Sequence, residues 1–227
     1  QVVIIDVFRA TSAMCVFLNN GGQQVIPVSN IQEAEKYKSK LDGNGNRYLV
    51  AAERDGDIVP GFDLGNSPLL YDGKQFNGAS LAITTTNGTV AIEKSKQASG
   101  GMLLASFLNA SAVIDSILSL NKGKVLIVCS GWKGRFCTED VLLAGFLSDN
   151  LLIHNTFYAE SDSVFLAKEM YHLGKSDMFG FLEESSYRKR MSLDNDVKYC
   201  LQRDIMDIVP FWSIKDIESG GCHGSFS

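Results

Sequence analysis

The chain has 227 residues, 45% hydrophobic and 21% charged, which is ordinary for a globular protein and excludes a disordered one. Its length suffices for one large domain or two small ones, with a core that needs no staples. Twenty-one Lys and Arg against 26 Asp and Glu give a net charge of −5, the opposite of the basic excess that marks a nucleic-acid binder. No apolar run approaches the roughly 18 residues of a membrane helix. Five cysteines without a CxxC pair, and only three histidines, argue against a disulfide framework and against structural zinc. These features predict a reduced, cytoplasmic protein. The chain opens without Met inside an apolar run, so a short preceding segment is expected, and no signal or transit peptide is read.

Val2–Val7, β-branched except for Asp6, has the pattern of a strand buried on both faces. Thr11 and Ser12, residue types of helix N-caps, precede a predicted helix Ala13–Asn20 closed by Gly21-Gly22. A strand Gln24–Val28, an Asn30-capped helix Ile31–Leu41 and a strand Tyr48–Ala52 follow. Glu53–Gln75, with Pro60 and Pro68, reads as a long loop, and such loops are often functional. Alternation resumes with strands Ser80–Thr84, Met102–Ala105 and Lys124–Cys129. Between them lie a turn opening a helix at Thr86–Lys96 and a helix Ala110–Leu120 capped by Asn109. A Thr138-capped helix Glu139–Leu152 comes next. Beyond His154 the pattern predicts helices Ser163–Leu173, Phe179–Arg190 and Val197–Asp204, a returning strand Ile205–Trp212 and a frayed tail Gly220–Ser227. Cys15 and Cys200 fall in helical patterns, as small hydrophobes. The expected fold is α/β, three-layer α/β/α with a mostly parallel or mixed central sheet. Residues 1–154 alternate and residues 155–227 complete the same single domain with helices.

Three apolar strands each end in a polar loop that opens a helix: Val2–Ser12, Leu81–Thr89 and Val125–Asp140. Ligands of open α/β sheets bind outside the carboxyl ends of the strands, where parallel strands bring such loops together. Loops of this kind offer backbone N–H groups and the positive end of a helix dipole to an anion, above all a phosphate. Ordinary capping explains Thr11, Ser12 or Thr138 singly; three loops on one edge favour an anion site. Asp6, at the tip of a buried strand, calls for a cation or metal, or for an ion pair with Arg9. Arg9 near a helix start opposes the dipole, so an anion beside it is expected. Glu53 and Asp63 share the long loop, and with Asp6 they suit Mg²⁺. Cys129 and Arg135 match the C-x₅-R spacing of cysteine-dependent phosphatases, in which a thiolate attacks phosphate. The following helix starts late, at Thr138, and no acid loop is evident. Lys133 and Arg135 also suit an anionic substrate without any role for Cys129.

The segments Asp6-Val-Phe-Arg-Ala-Thr-Ser12, Glu53-Arg54, Gly61-Phe-Asp63, Asn66-Ser-Pro68 and Thr84-Thr-Thr-Asn-Gly-Thr89 occur in this order and spacing. Together they resemble the 2-phosphosulfolactate phosphatase family. The similarity extends through Thr138-Glu-Asp140 to Arg203-Asp204 and Val209-Pro210, nearly the whole chain. The resemblance implies an α/β/α fold and a Mg²⁺-dependent phosphomonoesterase. Its substrate would be 2-phospho-3-sulfolactate or a similar phosphorylated 2-hydroxy acid, hydrolysed to sulfolactate and phosphate in coenzyme M biosynthesis. The matching residues are Asp6, Arg9, Thr11, Ser12, Glu53, Arg54, Asp63, Asn66, Ser67, Thr85, Thr86, Asn87, Gly88, Thr89, Glu139 and Asp140.

Residue type and loop position divide the roles. Asp6, Asp63 and then Glu53 are the expected metal ligands. Asp6, Glu139 and Asp140 are the catalytic set, with Glu139 or Asp140 as acid or base. Arg9, Thr11, Ser12, Arg54, Asn66, Ser67, Thr85 to Thr89 and Arg135 are the expected substrate binders. The partner is a small anionic phosphorylated molecule, with no nucleic acid and no membrane, and a homo-oligomer is compatible with the sequence. A cysteine phosphatase and a non-catalytic small-anion-binding protein stay open as alternatives.

Overall fold

The unbroken apolar run Val2–Ile5 forms β1, buried on both faces. The computed structural model describes residues 1–227 except 55, 121–122, 155 and 216–222. After β1 come α1 (Ala10–Asn19), β2 (Gln24–Pro27), α2 (Ile31–Glu35), β3 (Leu49–Ala51), β4 (Glu53–Arg54) and β5 (Asp57–Ile58). A 3₁₀ turn at Pro68–Leu70 leads to β6 (Ser80–Ile83), α3 (Gly88–Ser95) and β7 (Met102–Ala105). A second 3₁₀ turn, Phe107–Asn109, runs into α4 (Ala110–Leu120), then β8 (Leu126–Cys129) and α5 (Thr138–Ile153). The remainder is α6 (Asp162–Gly174), α7 (Met178–Phe181), α8 (Ser186–Arg190), α9 (Asp194–Cys200), β9 (Trp212–Lys215) and β10 (His223–Phe226). Among the described residues, no helix is long and apolar enough to cross a membrane.

The α/β/α layering stands, with the strands shared between two sheets. One is parallel, in the order β7-β1-β8, with Val3 opposite both Leu103 and Ile127. The other is mixed, in the order β3-β6-β2-β10-β9, and β4 and β5 make a separate hairpin. Side chains alternate along β1. Val3 and Ile5 face a core built with α4 and α5, while Val2 and Ile4 face α1. The opposite side of α1 meets Val25, Leu81 and Phe226 of the second sheet, whose far face packs on Ala34 of α2 and on Tyr37. Ala10–Leu18 are all buried, which explains why this helix shows no polar stripe.

Several elements differ from expectation. α1 begins at Ala10 with Arg9 at its N-cap position, so Thr11 and Ser12 lie inside the first turn. Ser106 caps the helical segment before α4 and exchanges hydrogen bonds with Asn109. The N-cap of α5 is Cys137, not Thr138. The predicted helix Phe179–Arg190 is two short helices, because Ser185 stops one and caps the next through the Arg188 N–H. The returning strand begins only at Trp212, since Ile205–Pro210 runs along the core as irregular chain. The expected frayed tail is instead β10, whose Phe226 is fully buried against Trp212, while Gly220–Cys222 fall outside the described residues.

Candidate active site

Asp6 follows β1 directly, and its backbone turns at once into α1. The Thr11 hydroxyl donates to the Asp6 carbonyl at 2.9 Å and accepts the Asp6 N–H at 3.1 Å, and the Ser12 hydroxyl donates to the Val7 carbonyl at 2.9 Å. Both residues are fully buried and hold this turn, and neither lines the cavity beside Asp6. The peptide bond between Phe8 and Arg9 is cis. The Asp6 side chain takes the Ala10 N–H at 3.3 Å and the Gly88 N–H, so one carboxylate sits at the starts of α1 and α3 together. Gly88 is required there, because a Cβ would stand 2.9 Å from Asp6 Oδ2 and 3.0 Å from the Ala10 Cβ.

The third loop is tied to the first by Asp140, whose Oδ1 accepts the Val7 N–H and whose Oδ2 accepts the Gly131 N–H, each at 2.9 Å. The Lys133 N–H donates to Asn87 Oδ1 at 2.8 Å and joins the third loop to the second. The three loops therefore converge on one cavity, lined by Asp6, Thr85, Thr86, Asn87, Glu139 and Asp140, as well as by Arg9, Glu53 and Asn66. At the starts of α1 and α3 the Ala10 and Gly88 N–H groups are taken by Asp6, and Glu139 and Asp140 lie in the first turn of α5.

These three acids are buried and, among the described residues, none forms an ion pair. Burial pushes the Asp6 carboxyl up to about 6 against the opposing Ala10, Gly88 and Arg9 contacts. Burial, then the charges of Asp6 and Glu139, hold Asp140 well above the usual carboxylate range. Burial also raises Glu139, which Asp6 reinforces, while the Cys137 thiol and Arg190 oppose it. Glu139 Oε2 is buried without a hydrogen-bond partner. So are Asn66 Oδ1 and the Tyr187 hydroxyl, and all three residues line the same cavity. Buried polar atoms are ordinarily paired, so this cluster of orphans marks a place built for something else to bind.

Arg9 is buried and does not pair with Asp6. It bridges Glu53 and Asp196, the latter at 3.1 Å. Arg9 is thus already committed to two carboxylates. Glu53 lines the cavity, whereas Asp63 stands apart, accepting the Val50 N–H at 2.9 Å and pairing with Arg47 at 2.7 Å. The structure therefore does not bring Asp63 to Asp6 as a metal ligand. Arg54, on an exposed two-residue strand, and Ser67, ahead of a 3₁₀ turn, do not line the cavity. Thr89 bonds back to Thr85, its hydroxyl donating to the carbonyl at 2.8 Å, and closes the turn into α3. Arg135 is exposed and outside the lining, because Trp132 and Arg135 pair their backbones in a tight turn around Gly131 and Gly134. A Cβ on Gly131, at φ +63°, would meet the Arg135 carbonyl oxygen at 2.3 Å. Cys129 does not line the cavity. Desolvation and then the Asp140 charge push its thiol up to about 12, although part of the residue reaches solvent.

Sequence reasoning missed Phe8, Trp132, Cys137, Tyr187, Arg190 and Met191 in the lining, and Asp196 behind it. The clustered basic residues Arg188-Lys-Arg190 were the available signal for α8.

A sequence model described as 2-phosphosulpholactate phosphatase matches residues 1–215. A protein of Thermotoga maritima named probable 2-phosphosulfolactate phosphatase is 38% identical over 211 residues, 92% of this chain and 87% of its own. A protein of the same name from Caldanaerobacter subterraneus is 38% identical over 216 residues, covering 92% and 86%. Another from Clostridium botulinum strain Alaska E43 is 33% identical over 214 residues, covering 93% and 88%. Matching this family along almost its whole length, with the loop motifs gathered at one cavity, the chain belongs to the 2-phosphosulfolactate phosphatase family.

Proposed function

We propose that the chain hydrolyses the phosphomonoester of 2-phosphosulfolactate, or of a similar phosphorylated 2-hydroxy acid, with the help of Mg²⁺. Family membership supports the reaction. The observation that carries the metal is the trio Asp6, Glu139 and Asp140, buried together without an ion pair around an orphaned Glu139 oxygen. A phosphate dianion is repelled by such a pocket unless a cation offsets the acids. Arg9 does not supply that offset, because Glu53 and Asp196 hold it.

The donor set fits Mg²⁺, which is commonly held by one or two carboxylates, with water and phosphate oxygens completing its shell. Among the described residues there is no ready-made cage of three or more ligating side chains, so the fit is to an open site of that kind. Asp6 and Asp140 would hold the ion; when bound, it offsets charge on the phosphoryl group and lowers the pKa of water.

The other steps fall to the chain's own residues. Water attacks phosphorus as the ester oxygen leaves; Glu139, whose carboxyl burial raises, gives that oxygen its proton and is reprotonated from solvent, while the attacking water loses one proton to solvent and stays on phosphorus as hydroxyl. Asp140 fixes the first and third loops, so that Asp6 and Glu139 keep their places. The Tyr187 hydroxyl offers a buried donor to a substrate oxygen, whereas Asn66 Oδ1 is an acceptor and suits the cation or a water. Cys129 and Arg135 have no part in this scheme, since neither reaches the cavity.

The test is phosphate release from a panel of phosphorylated 2-hydroxy acids, with Mg²⁺ and with EDTA. Turnover of 2-phosphosulfolactate that disappears in EDTA and returns with Mg²⁺ is the expected result. Full activity in excess chelator removes the metal, and turnover of other esters only removes the substrate.

A further inference from the structure

In the cavity lining, Arg190 of α8 stands over Trp132, its guanidinium carbon 3.7 Å from the ring centroid. Lys133 Nζ approaches the same indole at 4.8 Å. Arg190 and Lys133 are exposed, and among the described residues neither forms an ion pair. The contrast with Arg9, closed in between two carboxylates, divides the basic residues of the site into a spent one inside and two available ones at the rim. One turn before Arg190, Tyr187 is buried with its hydroxyl unpartnered and also lines the cavity. α8 therefore presents a neutral donor within and a cation at the edge.

This inference rests on the proposed reaction. The substrate class carries acid groups besides the phosphate, on carbons removed from the reacting phosphorus. A guanidinium stacked on an indole has its N–H edge left for an anion, and it is weakly hydrated, as is a sulfonate with its charge spread over three oxygens. We propose that Arg190, held on Trp132 and assisted by Lys133, binds the sulfonate of the substrate and so sets the preference for sulfonated over plain phosphorylated hydroxy acids. Charges at such a rim act on selection of the partner more than on the chemical step. No covalent step is added: the sulfonate is bound and released unchanged.

The experiment compares kcat/KM for 2-phosphosulfolactate and 2-phospholactate, which differ only in the sulfonate, in the Mg²⁺-loaded wild type, Arg190→Ala, Arg190→Lys and Lys133→Ala. The wild-type preference for the sulfonated ester is expected to fall at least about 10-fold in Arg190→Ala, chiefly through KM, and less in the other two. Melting temperatures show that each variant is folded, and Arg190→Lys serves if the alanine variant is not. Equal losses on both esters overturn the proposal, since they mean that Arg190 acts through Glu139 or the fold. An unchanged preference overturns it as well. Wild-type protein that does not turn over 2-phosphosulfolactate ends the proposed function itself, whereas turnover with a preference that Arg190 does not control ends only this inference.

Discussion

Asp140 accepts the Val7 N–H at 2.9 Å and so joins positions 133 residues apart. Its second oxygen holds Gly131, and a single carboxylate thereby sets the distance between the β1–α1 and β8–α5 loops. Asp140→Asn keeps the size but replaces one acceptor by a donor, leaving the Val7 or Gly131 N–H unsatisfied. A loss of about 1–3 kcal/mol in urea unfolding is expected, together with a fall in kcat. Wild-type stability in this variant would show that the two hydrogen bonds do not hold the loops.

Glu139→Gln separates chemistry from folding. Glu139 Oε2 has no partner to lose, so the melting temperature should stay level or rise. The lost proton donor should lower kcat by about 10²–10⁴-fold. Comparable losses of stability and rate would instead place Glu139 among the groups that hold the loop.

Arg9→Ala should act mainly on the fold. It leaves Glu53 and Asp196 without their shared cation, and removing one member of a buried pair typically costs about 3–5 kcal/mol. Arg9→Lys keeps the charge but loses the planar fork that reaches two carboxylates, so it should fall between. Chemical denaturation beside kcat/KM decides the matter. Unaltered stability with a collapsed rate would return Arg9 to direct anion binding.

The acids also predict a pH effect in protein stripped by chelator. Asp6 titrates near 6 in the folded chain and near 4 when unfolded. Between those values the folded chain holds a proton that the unfolded chain has released. Stability is therefore greatest below pH 4 as far as this group is concerned, and falls as pH rises through about 6. Urea midpoints measured across that range, with and without saturating Mg²⁺, should show the decline in chelator and a smaller one with the ion. Parallel curves would take the ion away from Asp6.

Cys129→Ser should keep most of kcat, because the thiol stands outside the cavity and is pushed up to about 12. A cysteine-dependent phosphatase loses its nucleophile with the same change. A phosphoenzyme trapped on Cys129 would overturn the water-based scheme.

Local apolar runs made β1, β6 and β7 legible, since a buried parallel strand needs nothing but such a run. Asp6, Glu139 and Asp140 were legible for a related reason: a carboxylate at a strand tip or a helix start is conspicuous. What Thr11 and Ser12 do was not, because a hydroxyl that closes its own turn has the same sequence as one that faces a ligand. The partners of Arg9 were hidden by distance along the chain, Asp196 lying 187 residues away. Tyr187 and Arg190 sit on a five-residue helix, too short for periodicity to reveal a face. β10 was obscured because Gly and Ser in a short segment weaken the strand pattern around Phe226, which reaches the core.

The position of β10 between β2 and β9 has a bearing on biosynthesis. It leaves the ribosome after the other strands of the described residues, yet it is the antiparallel neighbour of β2, which precedes it by about 200 residues. Through most of translation the nascent chain therefore carries β2 with one row of backbone donors and acceptors vacant. Such an edge recruits strands from other molecules. Slow elongation across β10 would prolong that exposure, so the yield of native protein should depend on translation speed there more than on speed in the helical stretch before it.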